Sequence, residues 1–297
     1  MSAPIVKQLS LLTYNTHLFE DSVVEFVGKV LRKKTVFKDV DRRTELLNRI
    51  KGLQPQPDIV CLQEVWAVKW QKLIKEELGK IYRYVYIVPD KGVTATSGLI
   101  VASQYSIDNP RFKMYTGLHD LPDKGAQKGV LAFSITLPTP TESTTLNIGT
   151  THCPTDIEDA QRAVKTLAKL TFGSGENDGI VAGDFNLHIE KTTEYERLNQ
   201  TMAKHHAYDI VYPFLPKIED SYTDWRWGNK LSIALAGGKK PGKDKKDRID
   251  YVYFAPGSKS HLKPMDAKVF HDWMVDHGDV HVDVSDHYPV LVTFSVN

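Results

Sequence analysis

Two rhythms of apolar and polar positions alternate along the whole chain. Short β-branched or apolar runs bounded by turn residues predict strands: LSLLTYN at 9–15, DIVCLQE at 58–64, YRYVYIV at 82–88, GLIVAS at 98–103 and GVLAFSITL at 129–137. The series continues with TLNIGTTH at 145–152, GIVAGDF at 179–185, RIDYVYF at 248–254 and YPVLVTFSV at 288–296. Between them, apolar spacings of three and four predict helices. RRTELLNRIK at 42–51 sets Leu46, Leu47 and Ile50 on one face. WQKLIKEEL at 70–78 gathers Trp70, Leu73, Ile74 and Leu78, and IEDAQRAVKTLAKL at 157–170 aligns Ile157, Ala160, Val164, Leu167 and Leu170. Many strands, few helices and some neighbouring strand pairs predict an α/β fold. In it, two mixed sheets pack face to face as a layered sandwich with helices outside.

Length and composition narrow this picture. The 297 residues allow one large domain or two small ones, and no shift in composition marks a linker, so one domain over 1–297 is expected. With 38 Lys+Arg against 37 Asp+Glu, the chain lacks the strong basic excess of a nucleic-acid coat, although a local groove could still read nucleic acid. Cys61 and Cys153 cannot build a disulfide framework, and their apolar contexts predict buried free thiols. No apolar run approaches the ~20 residues of a membrane span, and MSAPIVKQLS lacks the apolar centre of a signal peptide. The expected location is therefore cytoplasmic, or exported with a signal removed. The biased stretch GGKKPGKDKKDR at 237–248 carries six basic and two acidic residues and reads as a solvated loop.

Chemistry enters at the strand ends. Asn15 closes LLTYN, Glu64 closes IVCLQE, His152 closes IGTTH, and Asp184 and Asn186 end IVAGDFN. Asp250 interrupts RIDYVYF, and Asp286 and His287 precede YPVLVTF. Each has a structural reading by itself: a turn for Asn15, a helix cap for Glu64, an Asx turn for Asp184 and Asn186. Together they place polar groups where buried strands finish, which is where layered α/β folds collect their sites. A hard divalent cation needs one or two carboxylates and an amide, which Glu64 and Asn15 can supply. A base for water attack suits His287.

The set Asn15, QE at 63–64, TH at 151–152, GDFN at 183–186, DY at 250–251 and SDH at 285–287 resembles the endonuclease/exonuclease/phosphatase superfamily, with its DNase I-like fold. That resemblance implies a four-layered α/β sandwich and Mg²⁺-assisted hydrolysis of phosphate esters, with Mn²⁺, Co²⁺ or Ca²⁺ as alternative ions. It further implies that Asp250 orients His287, that Asp184 orients the water or holds a second metal, and that Asn186 and His152 donate to the phosphoryl oxygens. Asp286 would complete the metal side with Glu64 and Asn15.

Within the superfamily, Lys128-Gly129 before a strand and GLIVASQYSI at 98–107 resemble elements of the neutral and bacterial sphingomyelinases. Ser106 stands where their proline does, and Cys153-Pro154 differs from their usual pair after the strand-end His. The resemblance implies sphingomyelin as substrate, a phospholipid headgroup or membrane surface as partner, and a monomer. A DNA or RNA nuclease is the alternative, with the lysine-rich loop tracking phosphates. Lys128, Trp225, Trp227 and Trp273 are the expected substrate contacts. FHDWMV at 270–275 supplies an interfacial Trp273, and Trp225 and Trp227 in SYTDWRWGN supply a second interfacial candidate or, equally, pocket walls or a choline-binding face.

Overall fold

The computed structural model describes residues 6–19, 39–89, 96–120, 123, 126–139, 143–236, 239–240, 243–277 and 280–297. The first sheet is built from β1 (Gln8–Leu18), β2 (Ile59–Val65), β3 (Tyr84–Ile87), β4 (Ile100–Ser103), β11 (Leu262–Val269) and β14 (Val290–Val296), in the order β11-β14-β1-β2-β4-β3. The second holds β5 (Asp108–Met114), β6 (Gly129–Pro138), β7 (Ser143–His152), β8 (Asp178–Asp184), β9 (Tyr208–Asp209) and β10 (Asp250–Ala255), in the order β5-β6-β7-β8-β10-β9. A two-stranded ribbon, β12 (Met274–His277) with β13 (Val280–Asp283), stands apart. The helices are α1 (Asp39–Gly52), α2 (Val68–Leu78), α3 (Ile157–Phe172), α4 (Thr192–Ala203), α5 (Ile218–Ser221) and α6 (Lys230–Leu235).

Alternation along the strands divides the apolar residues into three cores, and these define four layers. Leu9 and Leu11 of β1 and Val290, Val292 and Phe294 of β14 face Leu131, Ile148, Ile180, Val252 and Phe254 of the second sheet. The opposite faces carry Leu12, Tyr14, Val60 and Leu62 against Leu46, Ile50, Ile74 and Leu78 of α1 and α2. On the other side, Val130, Val181, Tyr251 and Tyr253 meet Ala160, Val164, Leu167, Leu198 and Met202 of α3 and α4. The expected two-sheet sandwich is thus present, and both cysteines are free and buried. None of the described helices is long and apolar enough to cross a membrane.

Register carries the fold to the site. β1 runs parallel to β2 with Asn15 opposite Gln63, which sets Glu64 beside Asn15. β7 runs parallel to β8 with His152 opposite Asp184, and β10 runs antiparallel to β8 with Asp250 opposite Asp184. Three strand ends therefore hold His152, Asp184 and Asp250 in a row. One expectation is corrected here: Arg248 does not belong to a solvated loop. Its side chain is fully buried, paired with Asp209 and close to the ring of Tyr251. Residues 237, 238, 241 and 242 of that stretch lie outside the described residues.

Candidate active site

The strand ends of both sheets converge on one polar cluster. Asn15 Nδ2 donates to Glu64 Oε1 at 2.9 Å and to Asp184 Oδ2 at 3.0 Å, tying the two sheets together across the cleft. Asp184 Oδ1 accepts from the Asn186 amide at 2.8 Å, and Asn186 Nδ2 donates to the Cys153 carbonyl at 2.9 Å. His152 Nε2 lies 3.5 Å from both Glu64 Oε1 and Asp184 Oδ2. Gly183 shapes this corner: its φ is +146°, and a Cβ there would stand 2.1 Å from the Thr151 carbonyl. The glycine of GDFN is therefore a steric requirement for laying β8 against β7.

Facing this pole is a dyad. His287 Nδ1 and Asp250 Oδ2 are 2.8 Å apart, and Asp250 is 2% exposed. His287 Nε2 points into the cleft, 3.9 Å from Asp184 Oδ2. Ser285 anchors the loop bearing the dyad histidine, since its Oγ donates to the Asn15 carbonyl at 2.7 Å. Thr223 Oγ1 accepts from the Asp250 amide at 3.1 Å, and Asp224 forms a backbone bridge to His287. Asp286 turns the other way, with Oδ2 3.3 Å from His17 Nδ1.

The charges are strongly coupled. Burial alone would lower the His287 pKa, but the charge and hydrogen bond of Asp250, with Asp184 and Asp286, hold it well above the usual histidine value. Burial and the neighbouring Lys128 push His152 well below it. Burial would raise Glu64, yet the hydrogen bond from His17 and the positive charge of His152 and His17 hold it well below the ordinary carboxylate range. Asp184 is pushed up to about 7, chiefly by burial.

Oxygen donors at this pole fit a hard divalent ion. Ligand atoms of Glu64, His152 and Asp184 all lie within 4.8 Å of one another. The Asn15 amide hydrogens stand between two carboxylates, the place a cation takes among such donors. Asp184 is raised chiefly by burial, with Asp250 and Glu64 adding to it and His287 and Lys128 opposing it. Glu64, Asp184 and His152 form the cluster that could hold the ion, and Asp286 stands outside it beside His17.

Of the residues expected from sequence, Asn15, Glu64, His152, Asp184, Asn186, Asp250, Asp286 and His287 come together. Lys128 lies beneath them: it is buried, paired with Asp123 at 2.8 Å, and donates to the same Cys153 carbonyl as Asn186. It therefore supports the floor rather than facing open solvent. Trp225 follows Asp224 at the His287 rim, and Trp227 stands two residues further on with Lys240 over its ring. Trp273 is a correction. It is 4% exposed and packs edge-on against Tyr14 at 5.4 Å and against Phe270, within the core beneath α1. An indole at that depth backs the strand bearing Asn15 and is not positioned to enter a lipid interface. His17, 3.4 Å from Glu64 Oε2, was missed by the sequence reading. The signal was available, because β1 continues to Leu18 and His17 stands two positions beyond Asn15. Asp224 acts through backbone pairing and Thr223 through a hydroxyl that accepts from the Asp250 amide, and neither carries a comparable signal.

The chain belongs to the endonuclease/exonuclease/phosphatase family, whose match covers residues 12–287. No curated protein matches the chain. Among solved structures, beta toxin from Staphylococcus aureus is similar with a TM-score of 0.72 and 15% identity, over 96% of this chain and 99% of that one. A variant of beta toxin with bound magnesium ions has a TM-score of 0.66 and 14% identity over 98% of this chain and 100% of that one. Sphingomyelinase C from Streptomyces griseocarneus gives 0.67 and 17% identity, over 98% of this chain and 99% of that one. D. rerio TDP2 complexed with single strand DNA product gives 0.68 and 16% identity, over 97% and 98%. At these identities the likeness is one of fold.

Proposed function

We propose that this protein is a metal-dependent phosphoric diester hydrolase that uses His287 as general base. The observation that carries the reading is the buried His287–Asp250 pair, 2.8 Å long, aimed across Asp184 at the carboxylates of the opposite pole. Asp250 keeps Nδ1 protonated, so Nε2 is the nitrogen that takes the proton of the attacking water. Asp250 also stabilises the imidazolium that results. Asp184 orients that water. Asn186 Nδ2 donates to Cys153 and, at a longer 3.4 Å, to Asp184 Oδ2, and that second hydrogen and the His152 ring N–H can turn to the phosphoryl oxygens as charge develops. When bound by Glu64, Asn15 and Asp286, Mg²⁺ supplies Lewis-acid polarisation and charge neutralisation at that phosphoryl group.

Sphingomyelin is the favoured substrate, giving ceramide and phosphocholine. Support comes from Lys128-Gly129 beside the site and from the fold likeness to a sphingomyelinase C. The nuclease reading is kept because Lys240 and Lys246 stand over the rings of Trp227 and Trp225 at the rim, a combination that also suits single-stranded nucleic acid. The test is a side-by-side assay with Mg²⁺ on sphingomyelin liposomes, phosphatidylcholine liposomes, plasmid DNA and a single-stranded oligonucleotide. Release of phosphocholine from sphingomyelin alone is the expected result. Cleavage of DNA without sphingomyelin turnover would replace the lipid reading by the nuclease one.

A further inference from the structure

A cation already sits between two aromatic rings at the edge of the cleft. Lys246 Nζ lies 4.7 Å from the ring centroid of Tyr222 and 4.8 Å from that of Trp225. The two rings meet edge to face, 5.7 Å apart at 76°, and form a corner. We propose that this corner is the seat for the quaternary ammonium of the substrate headgroup, with Lys246 as its exchangeable occupant; the inference rests on the phosphodiesterase reading above.

The walls are fixed by contacts that leave the ammonium free. Trp225 Nε1 donates to Asp244 Oδ1 at 3.0 Å. Gly228 packs so closely on the indole that a Cβ there would stand 1.9 Å from it, so the loop is moulded around Trp225. Tyr222 stacks on His271 at 3.8 Å and 9°, and His271 Nε2 donates to the Tyr222 carbonyl at 2.9 Å. Lys246, by contrast, forms no ion pair with any described residue and follows the exposed residues 243–245. Its ammonium can return to water, where three N–H donors regain hydrogen bonds. A quaternary ammonium has no such donors. It is weakly hydrated, and the electron-rich faces of two rings satisfy it without an acceptor.

Position connects the corner to the chemistry. Between Tyr222 and Trp225 the chain passes through Thr223, whose Oγ1 accepts from the Asp250 amide, and Asp224, which bridges to His287. The Thr223 carbonyl accepts from the Tyr288 amide at 3.0 Å. The two residues that link the rings are thus the same two that brace the dyad.

The experiment has two arms. Tetramethylammonium is titrated against the wild type, Lys246→Ala and Trp225→Leu, followed by intrinsic tryptophan fluorescence and calorimetry. Emptying the corner by Lys246→Ala should tighten binding roughly tenfold, and Trp225→Leu should weaken it by a similar factor. In the second arm, KM for p-nitrophenylphosphorylcholine is divided by KM for bis(p-nitrophenyl) phosphate, which has no ammonium. The ratio should fall in Lys246→Ala and rise in Trp225→Leu. Unchanged or weaker tetramethylammonium binding in Lys246→Ala would overturn the proposal, as would a constant KM ratio. If Trp225→Leu fails to fold, the Lys246→Ala variant, at a half-buried position, decides alone. Hydrolysis of bis(p-nitrophenyl) phosphate reports on the phosphodiesterase reading separately: its absence would sink that reading, while the titration still decides whether the corner binds a quaternary ammonium.

Discussion

The two poles of the cleft are built differently. At the His287 pole one short hydrogen bond, 2.8 Å, joins a histidine to a buried carboxylate, and Thr223 and Asp224 brace that pair through the backbone. At the Glu64 pole, carboxylates outnumber their strong partners: His17 and His152 approach Glu64, Asp184 and Asp286 only to between 3.3 and 3.5 Å. The first pole pairs Asp250 Oδ2 with the histidine and leaves the buried Asp250 Oδ1 without a hydrogen-bond partner. The second gathers two carboxylates of opposite character: its neighbours stabilise the charge of Glu64, whereas burial raises Asp184. Under the proposed function, proton transfer belongs to the His287 end of the cleft and cation binding to the Glu64 end.

Glu64→Gln should separate the poles most sharply. It removes a charged ligand, so Mg²⁺ affinity should fall by at least the ~100-fold that outer-sphere changes reach, and turnover at moderate Mg²⁺ should vanish. The apolar cores on both sides of the first sheet form without the ion, so thermal unfolding in EDTA should change little. Calorimetry with Mg²⁺ and a melting curve check both halves. Unaltered turnover in excess EDTA would defeat the assignment of the cation pole.

His287→Ala should lower kcat by roughly 10²- to 10⁴-fold while leaving Mg²⁺ affinity near the wild-type value. Asp250→Asn should cost less, because it acts through His287. The double variant should be little worse than His287→Ala alone, since the pair works as a unit. Additive losses would dissolve the dyad.

The pH profile sharpens the same comparison. A base must be unprotonated to act, and Asp250 is the largest influence raising the His287 pKa. Activity should therefore rise with pH as His287 loses its proton. Asp250→Asn removes that influence, so the acid limb of kcat/KM should move to lower pH, whereas loss of a residue with no charge coupling to the base would leave it in place. An acid limb that stays in place would detach the titration from His287.

The smallest effect on catalysis is expected outside both poles. Trp273→Ala should destabilise the fold by ~3–5 kcal/mol, the scale for losing a buried aromatic side chain. It should not change the ratio of activities on liposomes and on a soluble phosphocholine ester. A selective loss on liposomes would return Trp273 to the membrane surface, against its packing on Tyr14.

How much of this was legible in the sequence follows from burial. Strands buried on both faces, such as β2 and β8, are nearly continuous apolar runs, and their ends expose the polar residues that matter. The edge strands β5 and β11 escaped notice because half or more of their residues face water and each contains a proline, Pro110 and Pro264. Helix α4 was missed because TTEYERLNQTMA buries only Glu194, Leu198, Thr201 and Met202, a narrow stripe with two polar members. Trp273 misled for a related reason. Its neighbours His271, Asp272 and Asp276 suggested a surface, whereas the strand that starts at Met274 turns the indole inward. Arg248 shows the converse, since a charged residue at the end of a lysine-rich stretch gives no sequence sign of its buried partner Asp209.

The most direct test of the division between the poles is a Mg²⁺ titration of the wild type, Glu64→Gln and His287→Ala, with heat of binding and hydrolysis of bis(p-nitrophenyl) phosphate measured on the same samples. The account predicts that Glu64→Gln loses binding and turnover together, whereas His287→Ala binds Mg²⁺ as the wild type does and does not turn over. Loss of Mg²⁺ binding in His287→Ala, or full turnover in either variant at the wild-type Mg²⁺ requirement, would contradict it.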